Sequence, residues 1–460
     1  MKAAKSFSRI IQFSLCLVII FSLLACSQPK PAFKYESDAA LRQQLAQAPA
    51  YPETNFVVFS DPHILDSSLG TAGTAFEAYL AKDRKLLKES PEILESTITS
   101  IKNLKHDIVL VPGDLTKDGE KASHDLAASY FAQLKAAGKK VYVVPGNHDI
   151  LNGHSYKYVG DIIERVPNIK PDQFAQIYAD YGYKDALHRD TDSLSYVAEP
   201  QPGLWLLALD SCLYRENVED KESVTDGKFS PETLAWIEKM LGQAAKENKA
   251  VIAMMHHGIM EHYLGQQKNY GEYIVDDYEE VAKLLANYNV RLVFTGHYHA
   301  QDITEKKYAD NGKYVFDIET GSLVTYPCPF RVITISKDQI ATFKQESVTS
   351  IKAHPTDFPV YAKQYLMDGI AGIATNTLQG YKIERPEAEK IAKEIAVGFG
   401  AHYGGDEQLA PGQVMVTETG LSPLAWLVIQ YRKDLITGLW KDLPPPDNNV
   451  TLNLKDGSWK

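Results

Sequence analysis

Five short apolar runs each end abruptly on residues able to bind a metal, and this recurrence constrains the fold more than any other feature of the chain. Phe56–Phe59 leads into Ser60-Asp61-Pro62-His63, and Ile108–Val111 leads into Pro112-Gly113-Asp114. Val141–Val144 leads into Pro145-Gly146-Asn147-His148-Asp149. Val251–Met255 is followed by His256-His257-Gly258, and Leu292–Phe294 by Thr295-Gly296-His297-Tyr298-His299. Brief runs rich in Val, Ile and Leu read as buried strands. Open α/β sheets carry their sites at the C-terminal strand ends, where these polar residues fall. Gly113, Gly146 and Gly296 let the backbone turn sharply beside them.

Further strands are expected at Leu204–Leu209, Tyr314–Ile318 and Arg331–Ile335. Between them, Glu95–Leu104, Ser123–Ala137, Pro231–Ala245 and Tyr278–Asn287 have helical spacing, which predicts an α/β layered domain over residues 51–340. Past residue 350 the pattern changes. Leu366, Ile370 and Ile373 share one helical face, as do Ile391, Ile395 and Phe399. Ser422-Pro423 is a capped helix start, followed by the stripe Leu424, Leu427, Val428, Tyr431 and Leu435. A small helical domain over residues 350–445 follows, with Pro444–Lys460 as a tail. A length of 460 residues suits a catalytic domain with such an appendage.

The N-terminus reads as an export signal. Lys2, Lys5 and Arg9 precede an apolar run from Ile10 to Ala25. The ending Leu23-Leu24-Ala25-Cys26 resembles a bacterial lipobox, with Cys26 as the lipidated residue of the mature chain. The alternative is an uncleaved anchor helix, for which the run is short. Either way the expected location is extracytoplasmic and membrane-attached, with residues 27–50 as a polar tether. Cys212 and Cys328 then remain. They read as two separate thiols, although spacing alone leaves pairing open. The net charge of -11 argues against an extended nucleic-acid surface. A small phosphorylated substrate is still allowed, because bound cations reverse the local field.

Taken singly, each polar block has a bland reading as a turn, a cap or a satisfied histidine. Together and in order, they resemble the calcineurin-like metallophosphoesterase superfamily, with its series Asp-x-His, Gly-Asp, Gly-Asn-His-Asp/Glu, a histidine after a strand, and Gly-His-x-His. The likeness covers about residues 55–335. It implies a four-layer sandwich of two packed β-sheets flanked by helices. It also implies that Asp61, His63 and His299 hold one metal, that Asn147, His256 and His297 hold another, and that Asp114 bridges them. His148 would orient the phosphate or protonate the leaving oxygen, with Asp149 fixing its tautomer. His257 is the neighbour that would replace His256 if the register slipped by one. Two divalent or mixed-valence transition metals are implied, Fe or Mn in first place with Zn also compatible. Such a pair activates water and neutralises phosphoryl oxygens. Purple acid phosphatases place Tyr where Lys117 stands and lack the histidine at position 63, so a tyrosinate-ferric centre is not expected.

Among relatives, the layout resembles bacterial cyclic-nucleotide phosphodiesterase-type members with a C-terminal helical domain, and Gly321-Ser322 fits that group. The expected activity is therefore phosphodiester hydrolysis, with a phosphomonoesterase or nucleotide hydrolase as the alternative. A surface binding protein with a structural metal site is the alternative of another class. Long connections at Ile64–Ser90, Ile150–Asp192, Ser211–Ser230 and Ile259–Asp277 would shape the pocket. The last carries Tyr263, Tyr270 and Tyr273, whose rings would either stack on a base or pack the loop down.

Overall fold

The computed structural model describes residues 32–460. The leader expected over residues 1–26, with its lipobox Cys26, lies outside the described residues. Phe33–Lys460 forms one compact unit. Its strands in chain order are β1 Thr54–Val58, β2 Ile108–Val111, β3 Lys140–Val143, β4 Tyr156–Val159, β5 Ile162–Arg165, β6 His188–Arg189 and β7 Tyr196–Gln201. There follow β8 Leu204–Ala208, β9 Ala250–Met254, β10 Leu292–Thr295, β11 Asp302–Lys307, β12 Tyr314–Glu319, β13 Pro329–Ile335, β14 Ile340–Ser347 and β15 Asn449–Asn453.

Two sheets carry the fold. One has the order β15-β14-β13-β1-β2-β3 and the other β11-β12-β10-β9-β8-β7-β6, while β4 and β5 form a separate hairpin. β1, β2 and β3 are mutually parallel, as are β8, β9 and β10. The five strands that precede the polar blocks belong to these two parallel sets.

Side-chain alternation explains why the second sheet is covered on both faces. Leu204, Leu206, Ile252, Met254, Leu292 and Phe294 point into the core shared with the first sheet, where Phe294 meets Phe56 edge-on at 5.2 Å. The residues between them, Trp205, Leu207, Val251, Ala253 and Val293, face a second core with Ile237 and Leu241 of the helix Pro231–Lys246 and Leu284 and Leu285 of the helix Tyr278–Asn287. On the first sheet, the helices Ser90–Asn103 and Lys121–Ala136 supply Ile93, Ile98, Phe131 and Leu134. Helix, sheet, sheet and helix give the expected four-layer sandwich.

Two expectations at the ends of the chain are corrected. The tether drawn over residues 27–50 is, from Phe33 onward, part of the fold. Phe33, Tyr35 and Leu45 are buried in the second core, and the Lys34 amide donates to Glu238 Oε1 at 2.6 Å. Burial of these three apolar residues outweighs the polar composition on which the tether expectation rests. Likewise the tail Pro444–Lys460 contains β15, which pairs antiparallel with β14 and buries Val450, Leu452 and Leu454. The expected helices past residue 350 are Phe358–Gly380, Arg385–Gly404, Pro423–Tyr431 and Lys433–Gly438. They do not stand apart: Leu366, Ile370, Ala396 and Tyr403 pack on Tyr263, Tyr298 and Ala300, beside the ends of the sheet strands. Leu452→Ala should therefore cost about 2–5 kcal/mol of unfolding free energy. Denaturant titration checks this, and an unchanged midpoint would mean that the strand contributes nothing.

Candidate active site

Both parallel strand sets open on the same place. Asp61 and His63 follow β1, Asp114 follows β2 and Asn147 follows β3, while His256 follows β9 and His297 and His299 follow β10. His63 Nε2 lies 3.2 Å from His299 Nε2, which is 3.5 Å from Asp61 Oδ1. Asp114 Oδ2 is 3.5 Å from His63 Nε2 and 3.5 Å from His256 Nε2, and His256 Nε2 is 3.2 Å from Asn147 Oδ1. Asp61, His63, Asp114 and His299 thus make one ligand group, and Asp114, His256 and His297 a second, with Asp114 common to both. All seven residues assigned from the sequence converge, and all are buried.

The donor set fits two cations. Burial, reinforced by the Lys85 ammonium, holds the His63 imidazole well below its ordinary pKa against the pull of Asp114. Burial also holds His297 and His299 down, so these rings are neutral and present lone pairs. Lone pairs and carboxylate oxygens packed 3.2–3.5 Å apart repel one another unless positive charge sits among them. Atoms further out fix which nitrogen faces inward. His256 Nδ1 donates to the Pro112 carbonyl at 2.9 Å, which turns Nε2 toward Asp114 and Asn147, and His297 Nε2 donates to the Thr225 carbonyl at 3.0 Å, leaving Nδ1.

The backbone that presents these side chains is strained. Asp61, His63, Asp114, His297 and His299 have φ of 51°, 38°, 47°, 77° and 72°, in the left-handed region. Such positions cost on the order of 1–3 kcal/mol each and persist only where neighbouring bonds over-determine them. Here the His63 amide donates to Asp114 O at 3.0 Å, Ser322 Oγ donates to Asp61 O at 2.9 Å, and the His148 amide donates to Asp114 Oδ1 at 2.9 Å. The last bond occupies one carboxylate oxygen of Asp114 and leaves the other for bridging.

His148 stands beside this cluster, its ring edge-on to His63 at 5.0 Å. Asp149 is not its partner, contrary to expectation. The Asp149 carboxylate turns back beneath the loop and accepts from the amides of Gly146, Leu115 and Thr116 at 2.8, 3.0 and 2.9 Å, so it ties two ligand loops together. Asp118 takes the role instead, with Oδ1 accepting from His148 Nδ1 at 2.8 Å. Burial opposes the charge on Asp118, but Lys117 and His148 hold it below the usual carboxylate range. His148 Nε2 has no hydrogen-bond partner among the described residues and remains for the cavity that His148 lines. Asp118→Asn should lower kcat by about 10–100-fold with metal content unchanged, whereas Asp149→Asn should loosen the metals. Kinetics paired with metal analysis separates the two, and a wild-type kcat for the Asp118 variant would remove its role. His257 is fully engaged, with Nδ1 2.7 Å from Ser211 Oγ and Nε2 2.9 Å from Thr225 O, which resolves the choice in favour of His256.

The calcineurin-like phosphoesterase profile matches residues 54–301, which contain every one of these ligands. The chain belongs to the calcineurin-like phosphoesterase family. No curated protein matches it significantly. Solved structures similar to this phosphoesterase include a dimetal phosphatase from Danio rerio, at 16% identity and a TM-score of 0.46, covering 65% of this chain and 97% of that one. A NAD nucleotidase from Haemophilus influenzae matches at 13% identity and a TM-score of 0.34, over 64% of this chain and 49% of that one. A purple acid phosphatase from yellow lupin matches at 13% identity and a TM-score of 0.39, over 66% and 52%. The family assignment rests on the profile and the ligand geometry, not on these likenesses.

The phosphoesterase site has features that the sequence reading missed. Besides Asp118, the cationic pair Arg84 and Lys85 lines the cavity over the metal ligands. Lys85 is only 6% exposed, and among the described residues its Nζ has one ionic partner, Asp83 at 3.5 Å. The charge run Lys82-Asp83-Arg84-Lys85 inside a long connection was the available signal. Lys117 is buried in ion pairs with Asp118 and Glu120. The three loop tyrosines divide. Tyr263 is buried against Tyr298 and His402, and Tyr270 packs on Tyr298, while Tyr273 reaches the cavity with its ring 4.6 Å from His297. Cys212 and Cys328 are both free thiols.

Proposed function

We propose that the chain hydrolyses small phosphodiesters, with cyclic nucleotides one candidate class, and that it does so outside the cytoplasmic membrane on a lipid tether. The observation that carries the diester reading is the lining of the dimetal cavity, about 440 Å³. Tyr79, which bonds Asp118, lines it together with Tyr158, Ile163 and His148, and so does Tyr273, which packs on His297, together with Arg84. A phosphoryl group over Asp114 would have room for an organic group on each side, as a diester requires.

Two divalent or mixed-valence cations, Fe or Mn by the family resemblance with Zn also compatible, would be held by Asp61, His63, Asp114 and His299 and by Asp114, Asn147, His256 and His297. When bound, they supply neutralisation of the phosphoryl oxygens and a water of lowered pKa. The chain supplies the rest. Asp118 stabilises the His148 imidazolium through Nδ1, so that Nε2 can donate its proton to the leaving oxygen. Lys85 and Arg84 counter negative charge on the non-bridging oxygens, in a site whose burial strengthens the interaction. The same pair supports a second reading, a monoester or nucleotide substrate carrying additional anionic charge.

Purified protein loaded with Mn and assayed on a bis-aryl phosphodiester, an aryl monoester and cyclic nucleotides tests the choice. A clear preference for the monoester would sink the diesterase reading. Metal binding without turnover of any ester would favour a binding protein. The tether is supported by the layout of residues 1–26 alone. Cys26→Ser should move the protein out of the membrane fraction, and unchanged partitioning would count against a lipid anchor.

A further inference from the structure

A second cavity, about 320 Å³, lies among the helices Phe358–Gly380, Arg385–Gly404 and Pro423–Tyr431 and the loop that carries Tyr273. Protein interiors are packed closely enough that voids larger than a water are few, so an opening of this size is not ordinary helix packing. Its wall is aliphatic and aromatic, with Ile370, Leu378, Phe399, Val428 and Leu439 among the contributors. Among the described residues no carboxylate lines it, and its charged side chains, Arg84 and Arg432, are both cations.

This cavity adjoins the dimetal cavity, with Arg84 and Tyr273 lining both. Arg84 is held at that boundary: its Nε donates to Tyr403 Oη at 2.9 Å, and its guanidinium stands 5.8 Å from the Tyr403 ring. A fixed cation therefore stands at the wall shared by the metal-ligand cavity and the apolar one. Ligand pockets of about 300–1,000 Å³ hold drug-sized molecules, which sizes this one for a single short chain or ring rather than a whole lipid.

We propose that the apolar cavity takes the alkyl or aryl arm of an amphipathic phosphoester whose phosphoryl group sits at the dimetal site. The assignment rests on the phosphodiesterase reading and names its substrate class: an anionic diester with one apolar arm, guided by Arg84 at the boundary. It also gives the C-terminal helices a function, since they form the wall of the specificity pocket.

A homologous series of alkyl 4-nitrophenyl phosphates, from methyl through butyl and hexyl to octyl, tests it on the metal-loaded full chain. Each buried methylene should raise kcat/KM by about fourfold until the cavity is filled, after which the series should level off. Ala374→Phe would fill the cavity from the helix Phe358–Gly380, and Thr377→Trp would obstruct its exposed rim. Either should collapse the octyl-to-methyl ratio toward one. Thr377 is exposed, so its variant keeps the test usable if the Ala374 variant fails to fold. A flat wild-type series, or variants that lower methyl and octyl turnover by the same factor, would overturn the proposal. Failure of the wild-type protein to cleave any ester would remove the phosphodiesterase reading and the pocket assignment with it; turnover with a flat series would remove the assignment alone.

Discussion

Asp114→Ala is expected to lower kcat/KM by roughly a thousandfold or more, beyond the 10–100-fold typical of residues that act through a metal ligand. Bound metal should fall below two equivalents. Asp114 is the one residue shared by both ligand groups, with Oδ2 3.5 Å from an imidazole nitrogen on either side. Its removal withdraws negative charge from both cation sites at once. The other oxygen accepts the His148 amide, so the loop that carries the proton donor loses an anchor in the same step. Metal analysis and steady-state kinetics on one preparation check this. Full activity with two bound metals would refute the bridging role.

How much of this site was legible in the sequence follows from how local each signal is. The seven ligands were readable because each sits directly after an apolar run, and strand ends in an α/β sandwich share an edge. The left-handed φ of five of them had no such signal, since Asp and His tolerate that region without demanding it. Asp118 was hidden for another reason. Asp149 is adjacent to His148 in sequence, and chain adjacency suggested a pair, but the turn directs Asp149 inward to three backbone amides and brings Asp118 across from another loop. At the chain ends, the apolar positions are few and sit within polar stretches. Phe33, Tyr35 and Leu45 on one side and Val450, Leu452 and Leu454 on the other join cores built by residues hundreds of positions away. The apolar stripes past residue 350 announced helices, but only packing could show that the helices line a cavity adjoining the metal ligands.

Gly146→Ala should reduce activity nearly as severely, by about a hundredfold, although Gly146 carries no catalytic group. A Cβ at this position would lie 2.7 Å from Asp114 Cγ, and nearer still to the Asp114 carboxylate oxygen and amide. Gly146 is not among the residues with positive φ, so alanine could adopt its backbone conformation and the whole effect would come from this contact. Relief by moving the loop is opposed by Asp149, which accepts the Gly146 amide at 2.8 Å and grips Leu115 and Thr116 in turn. Asp114 must give way instead. Gly138→Ala is the matched control. Its added Cβ would meet nothing within 4 Å, but its φ of 84° makes alanine strained, so it should cost about 1–2 kcal/mol of stability and leave turnover intact. Metal affinity, kcat/KM and melting temperature measured on both variants would show opposite patterns. Wild-type metal affinity in Gly146→Ala would mean that the bridging carboxylate tolerates displacement, and the ligand loops would then be looser than their hydrogen bonding implies.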